Sequence, residues 1–403
     1  MAIDTPATIA VLGAGPIGLE AALYGRFLGY DVQILERGPV AENLMQWGHA
    51  RMFTPFGMNR SNLGLAAIKA QDPSWRRPED DAFLTGREFA EQYLLPLSQT
   101  DLLNEKLHER SAVVAIGREG LLKADLPGDE TRGDGLFRLL VRTTAETGHV
   151  SDRVVTADIV IDATGTFGTS NWIGEGGIPA IGELAAQPHI DQGLPDVHGK
   201  DHEHFASRSV LVVGDGDSAA ANVVALAELA RHCPDTWITW ITPREPADTK
   251  LGPMSLVTED PPERSRIRVQ ANLLARDDRN HVTWRPGTWV EEITWHGDLE
   301  RFQVRLRGLH AEELEVDRVL ANVGCRGDHS LFAALQASLD PITEASPAEL
   351  IHPEPHFYVL GAKSYGRDGR FLIADGLKQI RKLFSIIGDR AELDLYAAVV
   401  NLL

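Results

Sequence analysis

The chain has 403 residues and is poor in cysteine, in positive charge and in long apolar runs. Its two cysteines, Cys233 and Cys325, are far apart in sequence, which argues against a disulfide framework and a Cys-x-x-Cys pair and is typical of a reducing, cytoplasmic environment. Because no run of about 18 apolar residues occurs, no transmembrane helix is expected. The first apolar run begins at Thr8, so we also expect no signal peptide before it.

The charge balance limits the partners. Lysine and arginine number 39 against 58 acidic residues, which gives a net charge of −19. Nucleic acids and anionic membranes need a basic protein face, so neither is an expected partner. The apolar fraction of 43% is ordinary for a globular protein, and the length is sufficient for two domains. We therefore expect a small-molecule substrate.

The amino-terminal segment has the pattern of a dinucleotide-binding βαβ unit. Glycines follow the apolar run that ends at Leu12, and a second run ends at Glu36. The first glycine permits a sharp turn, the second lets a pyrophosphate approach the backbone, and the third allows close helix packing, while the acid accepts hydrogen bonds from a ribose. The predicted contacts of this dinucleotide are Gly13, Ala14, Gly15, Pro16, Ile17, Gly18, Glu36 and Arg37.

A second copy of the pattern begins at Ser209. Its predicted cofactor-binding residues are Gly214, Gly216, Asp217, Ser218 and Ala219. The next apolar run ends at Thr242, where no carboxylate is present, and Arg244 follows. Arg244 is placed to meet a 2′-phosphate, which favours NADP over NAD; the alternative is an ordinary solvated arginine. Two such units suggest one bound FAD and one visiting nicotinamide nucleotide.

With the segments 159–165 and 321–328, these motifs resemble the two-dinucleotide-binding-domain flavoproteins, which include thioredoxin-reductase-like enzymes and flavin-containing monooxygenases. The resemblance implies an α/β protein with two Rossmann-like three-layer domains. An FAD-binding domain (1–200 and 326–403) is interrupted by an NAD(P)H-binding domain (205–325). The implied cofactors are FAD and NADP, or NAD.

The order of residues between the two motifs is similar to the monooxygenase branch, in which an asparagine lies near the reactive face of the flavin. Asn59 is the matching position and the predicted catalytic residue, within a stretch that is expected to be a loop; the alternative is that it caps the helix after Ser61. The resemblance adds further cofactor contacts, namely Trp47, Val114, Ala163, Thr164, Gly165 and Gly361.

Three departures from the resemblance bear on function. The chain lacks a dithiol pair, and Ile181-Gly182 stands where monooxygenases carry a Phe-x-Gly-x-x-x-His fingerprint. Gly361-Ala362-Lys363 replaces a Gly-Asp whose acid meets the flavin ribityl and phosphate region. Lys363 either offsets phosphate charge or is a surface lysine.

The predicted function is that of an FAD-dependent NAD(P)H oxidoreductase. Monooxygenation, reduction of a disulfide or quinone, and nicotinamide sensing with negligible turnover all remain open. The histidine-rich segment 198–204 is expected to be a solvated linker, and no metal is predicted. An amphipathic helix is expected over 394–403, with core packing and a homodimer contact both open.

Overall fold

The computed structural model describes residues 3–245, 251–258, 260–277, 280–337, 350–366 and 369–399. Within these ranges the chain forms two compact units. The first contains Met1–Gly48, Pro55–Thr169 and Arg326–Leu403, and the second contains His49–Thr54 and Ser170–Cys325.

The strands are numbered in chain order. They are β1 (Thr8–Leu12), β2 (Asp31–Leu35), β3 (Leu107–His108), β4 (Ser111–Arg118), β5 (Phe137–Thr144), β6 (Val150–Ala157), β7 (Ile159–Asp162), β8 (Asp191–Gln192), β9 (Ser209–Val213), β10 (Trp237–Ile241), β11 (Val282–Arg285), β12 (Thr288–His296), β13 (Arg301–Gly308), β14 (Glu313–Val316), β15 (Arg318–Ala321) and β16 (Phe357–Val359).

The α-helices follow in the same order. They are α1 (Pro16–Phe27), α2 (Glu42–Gln46), α3 (Phe56–Asn59), α4 (Asn62–Gln71), α5 (Gly86–Phe89), α6 (Leu95–Ser98), α7 (Glu183–Ala186), α8 (His202–Phe205), α9 (Asp217–His232), α10 (Pro262–Arg276), α11 (Ile373–Ile387) and α12 (Leu395–Ala398). A π-helical turn, Ala90–Leu94, joins α5 to α6.

The first unit is built on a parallel sheet with the strand order β16-β7-β1-β2-β3. Its central strands are continuous apolar runs, as expected for parallel strands that are buried on both faces. Leu12 pairs with both Leu35 and Asp162, and Asp162 also pairs with Val359. The carboxyl ends of four strands therefore meet at one edge of this sheet.

A three-stranded antiparallel sheet, β4-β5-β6, accompanies the parallel sheet of the first unit. The sequence predicts one strand over 153–161, whereas the structure divides this segment at Asp158 between the two sheets. The Asp158 carboxylate accepts hydrogen bonds from the backbone and side chain of Thr8, at 2.7 and 2.6 Å. The bend at Asp158 thus anchors the start of β1.

The second unit repeats the architecture with the parallel order β11-β10-β9-β15-β8 and a second antiparallel sheet, β12-β13-β14. Strand β8 pairs with Leu320 and Ala321 of β15. The segment 170–200, which the sequence resemblance places in the FAD-binding domain, therefore belongs to the second unit. The boundary lies near Ser170 rather than near residue 200.

Two further features are the contacts of helix α12 and the lack of a membrane-spanning helix among those described. Helix α12 packs against the first unit, since Leu395 donates its N–H to the Tyr24 hydroxyl at 2.9 Å and the Tyr396 ring meets Tyr24 edge-on. This part of the predicted carboxyl-terminal helix therefore contacts Tyr24 of α1; residues 400–403 lie outside the described ranges. Among the helices that the structure describes, none is long and apolar enough to cross a bilayer.

Candidate cofactor sites

The glycine turn after β1 has the strained geometry that its sequence predicts. Gly13 has φ +97°, a conformation that side chains rarely adopt, and its N–H donates to the Leu35 carbonyl at 2.9 Å. A Cβ atom at this position would lie 2.9 Å from the carbonyl oxygen of Ala163. The turn therefore lies directly against the segment that follows β7, and only glycine fits.

The amino terminus of α1 is open to a ligand. Gly15 is the N-cap residue and provides no capping side chain, and Pro16 follows at the first helical position. A Cβ atom on Gly15 would meet no other atom within 4 Å, whereas one on Gly18 would collide with the Gly13 carbonyl. The open space beside Gly15 thus adjoins a helix start whose backbone N–H groups lack intrahelical acceptors, an arrangement that suits a phosphate.

Glu36 connects this turn to the end of β2. Its Oε2 accepts the Ala14 N–H at 2.6 Å, and its Oε1 accepts the Gly38 N–H at 2.8 Å. The sequence pattern indicates only a ribose contact for Glu36 and does not reveal this role in shaping the turn. Each carboxylate oxygen retains a further lone pair, so Glu36 can accept a hydrogen bond from a ribose hydroxyl as well. Arg37, the next residue, is exposed.

A buried charge network lies at the carboxyl end of β7. The Lys363 ammonium is 2.6 Å from Asp162 Oδ2, with both side chains fully buried, and also donates to Thr164 Oγ1 at 3.1 Å. Asp162 Oδ1 accepts the Thr164 backbone N–H and hydroxyl, at 3.0 and 2.7 Å. The interpretation of Lys363 as a surface lysine is therefore wrong. The next residue, Gly165, turns the chain with φ +69°.

The segment after β16 completes this side of the first unit. Gly361 has φ +75° and donates its N–H to Gln379 of α11 at 2.9 Å. Gln379 in turn donates to Ser364 Oγ at 2.7 Å. A Cβ atom on Gly361 would lie 3.4 Å from the Ile17 side chain. The structure therefore brings the predicted residues Gly361 and Ile17 together, beside the amino terminus of α1.

Trp47 and Val114 have different surroundings in the same unit. The Trp47 ring lies 6.4 Å from that of Phe167, and its indole Nε1 is buried without a hydrogen-bond partner among the described residues. A buried N–H without an acceptor is costly, which is consistent with a ligand atom serving as the acceptor. Val114 is the extra residue of a bulge in β4 and is 40% exposed.

Asn59 lies in helix α3 and not in the predicted loop. It is 2% exposed and donates its side-chain amide to the Pro55 carbonyl at 3.1 Å. The cap of α4 is Ser61, whose hydroxyl accepts the Gly64 N–H at 2.8 Å. The alternative that Asn59 caps the helix after Ser61 is therefore wrong. If Asn59 has a catalytic role, a buried side-chain amide beside α4 performs it.

The glycine turn of the second unit repeats the first. Gly214 has φ +131° and lies against the Asn322 carbonyl, and its N–H donates to Ile241 at 3.1 Å. Gly216 is the N-cap of α9, again without a capping side chain and with open space beside it. Ala219 is fully buried, as close helix packing requires, whereas Ser218 is exposed.

The second turn carries two carboxylates that the first lacks. Asp217, the first residue of α9, lies 2.5 Å from Arg268 Nε and 3.3 Å from Arg264 Nε, both on α10. Asp215 lies 3.7 Å from Arg244 Nε, and the Arg244 side chain is 88% exposed. The structure thus places Arg244 beside the glycine turn, with its charge partly offset by Asp215.

The cysteines and histidines have no shared site. Cys233 ends α9 and Cys325 follows β15, and since a crossover helix runs opposite to its parallel strands, they lie at opposite ends of the second unit. Neither cysteine forms a disulfide. His204 pairs with Asp191 at 2.9 Å. Over the described ranges, no group of three metal-ligating side chains comes together.

Proteins with a similar architecture were found among solved structures. No protein-family model matches the chain, and no curated protein matches it. Among solved structures, bacillithiol disulfide reductase from Bacillus cereus superposes with a TM-score of 0.70 at 17% identity, over 95% of this chain and 99% of that one.

Two monooxygenase structures are also similar. An FAD-bound cadaverine monooxygenase of desferrioxamine biosynthesis from Erwinia amylovora has a TM-score of 0.62 at 15% identity, over 96% of this chain and 95% of that one. A double mutant of a flavin monooxygenase from Stenotrophomonas maltophilia has a TM-score of 0.59 at 21% identity, covering 95% and 98%. The chain thus has the α/β fold of the two-dinucleotide-binding-domain flavoproteins.

Proposed function

We propose that this chain is an FAD-dependent NAD(P)H oxidoreductase that acts on a small molecule. The observation that carries the proposal is the repetition of one construction in both units. Each glycine turn has a positive φ, an uncapped helix amino terminus and open space beside the second glycine, Gly15 or Gly216. Two dinucleotide sites in one chain match the needs of a flavin and its nicotinamide reductant.

The residues of the first unit fit FAD. The amino terminus of α1 offers N–H groups to the diphosphate, and Glu36 accepts hydrogen bonds from the adenosine ribose. The indole N–H of Trp47 offers a donor that has no acceptor among the described residues. FAD, when bound, supplies the redox chemistry by accepting a hydride from NAD(P)H and passing the electrons on. The protein binds and orients it.

The second unit fits the nicotinamide nucleotide. The amino terminus of α9 receives its diphosphate, and Arg244 lies beside the turn, where an adenosine 2′-phosphate would be recognised. The carboxylate of Asp217 would repel a diphosphate, but it is paired with Arg264 and Arg268 of α10, two cations that it shares with Asp260. NADPH is therefore the proposed reductant.

The electron acceptor is a separate molecule, because Cys233 and Cys325 are too distant to form an internal dithiol relay. Oxygen, with a small substrate that is oxygenated, is our first candidate, and Asn59 is its proposed catalytic residue. Its buried amide donates to Pro55 and belongs to the described core of the first unit.

Reduction of an external disulfide is the second candidate. It is favoured by the similarity over 95% of the chain to a bacillithiol disulfide reductase. The two candidates differ in what reoxidises the reduced protein, oxygen or a low-molecular-weight disulfide.

Two experiments test the proposal. Acid extraction and chromatography should release FAD from the purified protein; FMN, or no flavin in a folded sample that is incubated with FAD, contradicts the cofactor assignment. NADPH added without oxygen should bleach the flavin within seconds. A flavin that stays oxidised would indicate a nicotinamide-sensing protein. Admission of air, or of a low-molecular-weight disulfide, to the reduced protein then identifies the acceptor.

A further inference from the structure

The Lys363 side chain lies in the interior of the first unit. It follows β16, and its side chain extends back to the last residue of β7, where it pairs with Asp162 at 2.6 Å. Both side chains are fully buried, and the ammonium also lies over the face of the Phe332 ring, 5.2 Å from the ring centroid. A buried cation is retained only where its charge and hydrogen bonds are satisfied.

The burial of Lys363 determines how it can act. Since its side chain has no exposed surface, a bound dinucleotide does not reach the ammonium directly in this conformation. Its effect must pass through its two partners, Asp162 and Thr164. Thr164 is held twice, because its hydroxyl accepts from Lys363 while its hydroxyl and backbone N–H donate to Asp162.

These partners adjoin the glycine turn. Ala163 lies between them, and its carbonyl oxygen is the atom that a Cβ on Gly13 would meet at 2.9 Å. The Asp162 carbonyl accepts the Leu360 N–H at 2.9 Å, which joins the ends of β7 and β16. The ion pair therefore fixes the backbone against which the dinucleotide-binding turn rests.

We propose that Lys363 is a positioning residue for FAD, which acts through the Asp162 carboxylate and Thr164 to hold the segment 162–165 against the Gly13 turn. This rests on the proposed function, since it requires that FAD binds the first unit.

The test compares FAD binding with folding in three variants. Lys363→Met removes the cation and leaves Asp162 buried without its partner. Asp162→Asn combined with Lys363→Met removes both charges and keeps an oxygen acceptor for Thr164. Lys378→Met is the matched control, because Lys378 lies on α11 with its side chain 78% exposed, paired to Asp375 at 3.0 Å. The dissociation constant of FAD for the deflavinated proteins is measured by flavin fluorescence quenching, and their melting temperatures are recorded beside it.

We expect Lys363→Met to weaken FAD binding and the double variant to restore most of it. Breaking a buried pair is far more costly than replacing both partners, so Lys363→Met should weaken FAD binding at least about tenfold and the double variant should return to within about threefold of the parent. Lys378→Met should change it by less than about twofold, as an exposed pair contributes little.

Other outcomes overturn the proposal. A Lys363→Met protein that binds FAD like the parent, or that melts earlier while its folded fraction keeps the parent affinity, would make the pair merely structural. If this variant does not fold, Thr164→Val replaces it, since valine removes the acceptor of Lys363 but keeps the ion pair; parental FAD affinity would then refute the positioning role. A parent protein that binds no FAD would instead refute the proposed function, and so the two failures are distinguishable.

Discussion

Replacement of Glu36 separates the shaping of the glycine turn from the binding of a ribose. The carboxylate accepts two backbone N–H groups, from Ala14 at 2.6 Å and from Gly38 at 2.8 Å. A hydrogen bond to a charged group contributes about 1.5–3 kcal/mol when it is buried. Because Glu36 is half-buried, we take the lower end of this range for each of the two bonds, so Glu36→Ala should lower the free energy of unfolding of the apoprotein by about 3 kcal/mol. Glu36→Gln keeps one acceptor oxygen and should lose about half as much.

The same variants should weaken FAD binding by a further amount. Loss of the ribose acceptor removes about 1–3 kcal/mol, which corresponds to a dissociation constant raised roughly 5- to 150-fold. The assay is urea unfolding of the apoprotein followed by FAD titration of the folded variants. Glu183→Ala is the matched control, since Glu183 likewise accepts two backbone N–H groups, from Ile173 and Ala180, but in the second unit.

The control decides what the result means. Glu183→Ala should lose stability without any change in the FAD dissociation constant. If Glu36→Ala loses stability and yet keeps the parental affinity for FAD, Glu36 shapes the turn alone and the ribose assignment is wrong. If neither quantity changes, the two short hydrogen bonds do not contribute, and Glu36 has neither role.

Three further predictions concern the reductant, the proposed catalytic amide and acid stability. Arg244→Ala should abolish the preference for NADPH over NADH, and Asp215→Asn should strengthen it severalfold; a ratio of kcat/KM that neither change alters would show that Arg244 does not contact a 2′-phosphate. Asn59→Asp buries a carboxylate, so air oxidation of the reduced flavin should slow or release hydrogen peroxide, which stopped-flow absorbance and a peroxide assay would detect; unchanged kinetics would contradict a catalytic role for Asn59. Burial opposes ionisation of Glu354, but hydrogen bonds, chiefly that from Arg118, outweigh it and keep the pKa of this carboxyl below its ordinary value. Stability from Glu354 is thus present above its unfolded pKa and lost as the pH falls through its folded pKa. Urea unfolding should therefore depend less on pH in Glu354→Gln than in the parent. The measurement covers pH 3 to pH 6, a window set by the ordinary carboxyl range.

The glycine turns are predictable from the sequence because their requirements are local. A strand end, a residue with positive φ and an uncapped helix start all lie within a few residues of Gly13 or Gly214, and the structure has each of them. The similar solved structures confirm the fold class. Which molecules occupy the two turns remains a prediction.

The side-chain partnerships that support the turns are not predictable in the same way. Lys363 and Asp162 are brought together only by the pairing of β16 with β7, a contact between distant parts of the sequence. The bonds from Glu36 to the loop depend on backbone N–H groups, which no residue pattern displays. The polar, glycine-containing surroundings of Asn59 favour a loop, yet packing within the first unit forms a helical turn there.

The charges of the second turn set a condition on any nicotinamide nucleotide that binds there. Asp217 pairs with two arginines at 2.5 and 3.3 Å, both of which also pair with Asp260, whereas Asp215 has one exposed arginine at 3.7 Å. An exposed pair contributes at most about 1 kcal/mol, so a 2′-phosphate can take Arg244 from Asp215 at little cost, although the nearby carboxylate then repels it. Because Arg244 is 88% exposed and Asp215 is 34% exposed, salt screens both effects. The preference for NADPH should therefore diminish as ionic strength rises, and a preference that salt leaves unchanged would indicate recognition by shape rather than by this pair of charges.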